Sequence, residues 1–182
     1  MITLFGKKKL TEEKVAKIFV NGLQLLIDEG FEEVIGLIND SPEFLSPPNL
    51  DSEDSGAFTV IVLAGNLQLI PSYFEAGQDR RITQYILEKF ADLYETDKMN
   101  LAKMVSETRK LMMRKNHPSK SVTNAMARTV FCRYELNKYQ EKYFKSLDSP
   151  NPIFIQRLKE AMETFLWNWD TFLEKYKVVQ AG

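Results

Sequence analysis

FTVIVLAGNLQLIP, Phe58 to Pro71, is the stretch whose reading decides the fold. Only Thr59, Asn66 and Gln68 interrupt its apolar character, and a segment apolar on every side must be enclosed by other elements. At about fourteen residues it is shorter than the roughly twenty needed to cross a bilayer, so it reads as a core element and no membrane span is expected. The β-branched Thr59, Val60, Ile61 and Val62 lean towards a strand, although a short apolar run fits either helix or strand. The surroundings decide it. No other segment alternates with period two over a useful length, and a lone strand would bury backbone donors and acceptors without partners. The run is therefore expected to form a central helix ended by Pro71, with Val62, Leu63 and Leu69 almost fully buried.

The chain around it has the size and composition of one domain. With 182 residues, 44% of them hydrophobic, it can enclose a substantial single core, which excludes disorder of the whole chain. Cys132 is the single cysteine, so no disulfide can form within the chain, and a reducing compartment is expected. The opening MITLFGKKKL lacks an apolar stretch of the length a secretory signal requires. Cytoplasmic placement follows as the expectation, with residues 1–10 as a flexible lead-in.

Helical periodicity divides the rest. The first helix is expected from Thr11, a good N-cap, to Asp28, with Gly30 just past its end, and a short second one from Phe31 to Asn39. The stretch Asp40–Gly56, rich in proline and small polar residues, reads as an acidic internal loop pinned by Phe44, Leu45 and Leu50. Beyond the central helix, a fourth helix opens near Asp79 and a fifth runs from Lys98 to Lys115 behind an Asp97 cap. Ser121 caps a sixth that continues to about Lys145. Pro152 opens a seventh that reaches Lys177, since Ile155, Leu158, Met162, Phe165, Trp169, Phe172 and Tyr176 recur at helical spacing. The sum is an all-α single-domain bundle of about seven helices around the central apolar one.

Catalytic chemistry leaves no signature in this sequence. His117 lies in a turn beside Pro118 without cysteine or acidic neighbours, and it reads as a solvated loop histidine. The spacings HExxH, ExxH and CxxC do not occur, nor do a P-loop or GxSxG, and DSEDSG lacks the closing glutamate of a calcium loop. Cys132 shares a helical stripe with Ala125, Leu136 and Tyr139 and reads as a small core residue. No cofactor is expected.

Charge is the stronger signal. Nine acidic and no basic residues lie between Asp28 and Gly56, whereas Lys98 to Lys145 holds twelve basic residues against three acidic ones, so two opposite blocks cancel in a formal net charge of -1. Arg109 and Arg114 crowd the end of the fifth helix, where cations also favour the helix dipole. On the sixth, Arg128, Lys138 and Lys142 interleave with Phe131 and Tyr134 in the manner of a platform that stacks single-stranded bases. The plainer and favoured reading packs both rings inside and lets the lysines reach out. Trp167 falls on the polar side of the seventh helix, roughly 160° from Trp169, which marks it as a contact residue unless a loop covers it.

The expected role is a non-catalytic interaction or adaptor module that binds a protein partner or a second copy of itself. Its candidate contacts are Trp167, Arg109, Arg114, Arg128, Phe131, Tyr134, Lys138 and Lys142. The alternative is binding of nucleic acid or another polyanion by the basic helices at 98–145, and an enzyme of unknown class stands third.

Overall fold

The apolar run at 58–71 is helical and lies at the centre of a helical bundle. In the computed structural model, which describes residues 6–182, strand β1 (Lys8–Thr11) leads into helix α1 (Glu12–Asn39). Helices α2 (Ser55–Leu69), α3 (Gln78–Leu93), α4 (Lys98–Asn116), α5 (Val122–Arg133), α6 (Lys142–Leu147), α7 (Pro152–Glu163) and α8 (Trp169–Lys175) follow, and strand β2 (Tyr176–Val179) closes the chain. The central α2 packs against α1, α4 and α5 and buries Val62, Leu63 and their neighbours on all sides. Leu69 is only half-buried, not almost fully as expected, since it faces outward where α2 gives way to a 3-10 turn at Ile70–Ser72 that keeps Ile70 in the core and where Pro71 cannot supply a helical donor. The stretch Ser52–Ser72 is long and apolar enough to cross a membrane by length and composition, and in the bundle that apolarity is spent on the helices around it.

Local signals placed most helix starts correctly. Thr11, Asp97 and Ser121 each accept a hydrogen bond from the backbone N–H three residues on, and Pro152 occupies the first turn of α7 behind an Asn151 cap. The acidic start of α1 also holds a tertiary contact. Glu12 is buried and accepts from both Nε and Nη2 of Arg81 on α3 at 2.9 Å, and these bonds hold its carboxyl below the usual glutamate range.

Three expected boundaries differ. The first and second helices are one, since Gly30 does not end a helix but makes room for Phe165: a Cβ on Gly30 would lie 2.7 Å from that ring. Phe31, Val34 and Ile38 then continue the buried stripe of α1. The sixth expected helix stops at Arg133, where Tyr134 turns inward and Glu135 adopts a left-handed backbone (φ 52°) that sends Leu136 into the core. A 3-10 turn, Leu136–Tyr139, and the short α6 replace its second half.

The seventh expected helix also breaks, between Glu163 and Trp169. Asn66 of the central helix explains why the break is tolerated inside the core. Its Nδ2 donates to the Phe165 carbonyl at 2.9 Å and its Oδ1 accepts from the Trp167 N–H at 2.8 Å, so the backbone groups freed by the turn find partners without water. Asn168 then caps α8 by accepting from the Thr171 N–H.

The two strands meet. β1 and β2 pair in parallel from Lys8 opposite Tyr176 to Thr11 opposite Val179, and Lys7 donates to the Leu173 carbonyl at 2.6 Å. The flexible lead-in expected at residues 1–10 is thus replaced by a paired strand from Lys8 onward, while residues 1–5 lie outside the described ones. The internal loop expected at 40–56 is irregular as far as Asp51, turns into a 3-10 helix at Ser52–Asp54, and ends two residues early, since Ser55 and Gly56 already belong to α2. Phe44 anchors it in the core and Asn39 ties down the Leu50 backbone through two hydrogen bonds, but Leu45 is exposed.

Candidate functional site

The two charge blocks do not neutralise one another within the chain. Among the described residues only two of the twelve cations from Lys98 to Lys145 form ion pairs, Lys98 with Glu88 and Lys138 with Glu135, and neither partner belongs to the acidic block. Glu43 of that block pairs with Arg157 on α7 instead. Asp51 and Asp54 are engaged in capping the turn before α2, and Asp28, Glu29, Glu32 and Glu33 lie exposed along α1.

The break between α5 and α6 gives the basic residues a shape. Where helix would have continued, the chain folds back and leaves a hollow of about 340 Å³ lined by Lys115 from α4, Arg128 from α5, Lys138 from the 3-10 turn and Lys145 from α6. Phe131, Cys132 and Pro150 add apolar surface to its lining. A second hollow of about 510 Å³ meets the first at Cys132 and Glu135, and Lys110, Arg114 and Arg133 line it. Arg128 is half-buried, and among the described residues its guanidinium has neither a carboxylate nor another hydrogen-bond acceptor, so its donors are free to meet a ligand in the hollow. Lys138 is partly committed, at 3.7 Å from Glu135 and 5.3 Å from the centre of the Tyr139 ring.

Gln140 holds this architecture at its base. It is buried, donates to the Ser149 carbonyl at 2.8 Å and accepts from the Asn151 N–H at 2.7 Å, which pinches together the ends of an excursion carrying α6. No residue of α6 is buried, and Tyr143 and Leu147 are exposed on it together with Lys142 and Lys145.

The candidate residues separate under this geometry. Arg114, Arg128 and Lys138 come together on one continuous basic face. Arg109 does not join them, because it lies five positions before Arg114 and a helix turns them about 140° apart. Lys142 is exposed on α6 but lines neither hollow.

The aromatic half of the stacking platform is not available. Phe131 is 5% exposed and packs towards Phe154, so it contributes an edge to the hollow and no open face. The Tyr134 hydroxyl donates to the Asp54 carbonyl and accepts from the Phe58 N–H at 3.0 Å, in effect capping the central helix from α5, and burial pushes its pKa up to about 12.

Trp167 is not an exposed residue on a helix. It sits in the turn between α7 and α8, half-buried, with its ring edge-on to Phe19 and laid over Gly22 of α1, where an added Cβ would come within 2.2 Å. Its outer edge forms part of a mostly apolar groove of about 460 Å³ with Ile18, Leu26 and Phe172, which Lys175 also lines but none of the cations from Lys98 to Lys145 does.

Cys132 lines both hollows and is only partly buried, so the core assignment is half right. Asn137 and Asp148 also line the first hollow and went unrecognised, because no periodicity marks a residue placed by a chain break. His117 is exposed in the α4–α5 turn, as expected. Among the described residues no group of three or more His, Cys, Asp or Glu lies together as a metal set would. Compared with known proteins, the chain matches no family model, no curated protein and no solved structure at a significant level.

Proposed function

We propose that this chain is a non-catalytic interaction module that takes an acidic protein partner on the basic face of α4, α5 and α6. The observation that supports it most is the uncovered charge: ten of the twelve cations from Lys98 to Lys145 have no ion-pair partner among the described residues. A surface kept at this charge density steers and orients an oppositely charged partner more than it adds affinity, since exposed pairs contribute about 0–1 kcal/mol each. The exposed Tyr143 and Leu147 of α6 stand beside that face and offer the apolar contact that charge alone does not supply.

Binding of a single-stranded nucleic acid is the weaker reading, because Phe131 and Tyr134 cannot stack on bases from where they sit. The test is fluorescence anisotropy with labelled polyglutamate and with a single-stranded oligonucleotide, over a series of salt concentrations. Polyglutamate should bind at low salt and be released as salt rises, and Lys110→Glu with Arg114→Glu should weaken it. Tighter binding of the oligonucleotide, or indifference to the charge reversal, overturns the assignment. Sedimentation of the unliganded chain at the same salts tells whether the partner is a second copy, whose exposed Asp28, Glu29, Glu32 and Glu33 offer the matching charge.

A further inference from the structure

We infer that the smaller hollow, between Arg128 and α6, is a binding site for a phosphomonoester group carried on a small apolar body. The inference deepens the basic-face reading and rests on it only for the suggestion that such a group arrives on a protein. Four cations and two carboxylates, Glu135 and Asp148, line the hollow, a surplus of two positive charges. A phosphomonoester carries about -1.5 to -2 at neutral pH, which matches that surplus, whereas a carboxylate leaves half of it unmet. Arg128 supplies the planar fork that suits phosphate oxygens, and it stands half-buried in the lining with no acceptor of its own among the described residues.

Size narrows the ligand further. About 340 Å³ lies at the small end of the roughly 300–1,000 Å³ typical of ligand sites, enough for one phosphorylated side chain or a small metabolite and too little for a run of nucleotides. The apolar lining from Phe131, Cys132 and Pro150 gives the body of such a ligand a surface to cover, while Lys115, Lys138 and Lys145 approach from three different elements. Lys145 comes from the excursion clasped by Gln140, so the site exists only because the helix ends at Arg133.

The sole thiol of the chain reports on occupancy, since Cys132 is partly exposed in the same hollow. Phenyl phosphate is titrated into the full chain by calorimetry while the rate of Cys132 alkylation by iodoacetamide is followed. Expected are saturable binding, slower alkylation, and about tenfold or greater weakening by Arg128→Gln and by Lys145→Gln. Lys145 is exposed and leaves the fold intact if Arg128→Gln does not, and Arg80→Gln on α3 serves as the unaffected control. Affinity should fall as pH drops through about 6, where the phosphate takes up its second proton.

Benzoate binding as tightly as phenyl phosphate, the absence of saturation, or unchanged alkylation would each overturn the site. A phosphotyrosine-containing peptide binding more tightly than phenyl phosphate assigns the group to a protein, and the reverse order assigns it to a free metabolite. Polyglutamate binding through Lys110 and Arg114 is independent of these results, so loss of the phosphate site and loss of the basic-face reading are told apart.

Discussion

Two places where an expected helix breaks are each clasped by a buried amide, and they differ in what lies beside the clasp. At the α7–α8 turn, Asn66 binds the backbone of Phe165 and Trp167, and the surroundings are Phe19, Phe58 and Trp169. At the α5–α6 turn, Gln140 binds the backbone of Ser149 and Asn151, and beyond it stand unpaired cations around a hollow. The first break lets aromatic rings close over α1 and seals the core. The second opens the surface and leaves on it charges that mostly have no ion-pair partner among the described residues. A break closed on rings belongs to folding, and one left open beside unpaired cations is the natural place to look for a ligand.

The contrast is sharpest at the clasps. Asn66→Leu removes the partner of the fully buried Phe165 carbonyl and of the half-buried Trp167 N–H, and at about 1–3 kcal/mol for each it should destabilise the fold by about 2–6 kcal/mol in urea unfolding. A loss below 1 kcal/mol would mean that the turn rearranges or admits water. Gln140→Leu also frees two backbone groups, but Ser149 and Asn151 are only half-buried and can turn to solvent, so a cost of about 1–3 kcal/mol is expected. Equal costs at the two sites would erase the distinction between a sealed and an open break.

Tyr134 lies between the two cases, capping the central helix from the residue where α5 stops. Tyr134→Phe should cost about 1–2 kcal/mol at neutral pH, through the lost bonds to Asp54 and Phe58. The folded phenol holds its proton to about pH 12, above the ordinary value near 10 that the unfolded chain keeps. Its contribution is therefore complete below pH 10 and is lost between 10 and 12, so the stability gap between the native chain and the variant should narrow over that window. A gap that widens with pH would reverse the sign of the shift. Smallest of all is Arg128→Leu, which removes an unpaired charge from a cationic hollow and should change stability by no more than about 0.5 kcal/mol, or raise it, while phenyl phosphate binding is lost.

Much of the fold is written in local terms. The all-round apolarity of Phe58–Pro71 demanded enclosure, the caps at Thr11, Asp97 and Ser121 set three helix starts, and the charge blocks were countable from composition. The buried stripe Leu158, Met162, Phe165, Trp169 and Phe172 was also legible, even though the helix meant to carry it is two helices and a turn. Periodicity reports which side chains face the core, and a turn that keeps them facing inward leaves the pattern unchanged. Asn168, which caps the restart, falls between the apolar positions of that stripe and so leaves its period uninterrupted.

What remained for the tertiary structure were the relations between distant residues. Asn66 is 99 residues from Phe165 and Tyr134 is 76 from Phe58, so neither clasp nor cap has a local trace. Gly30 reads in the sequence as the end of a helix, and the need for glycine there and at Gly22 appears only when Phe165 and Trp167 are laid upon them. The basic residues could be counted from the chain, but which of them converge depended on where α5 ends. That ending is set by Tyr134 and Leu136 turning to meet a core that only the assembled helices create.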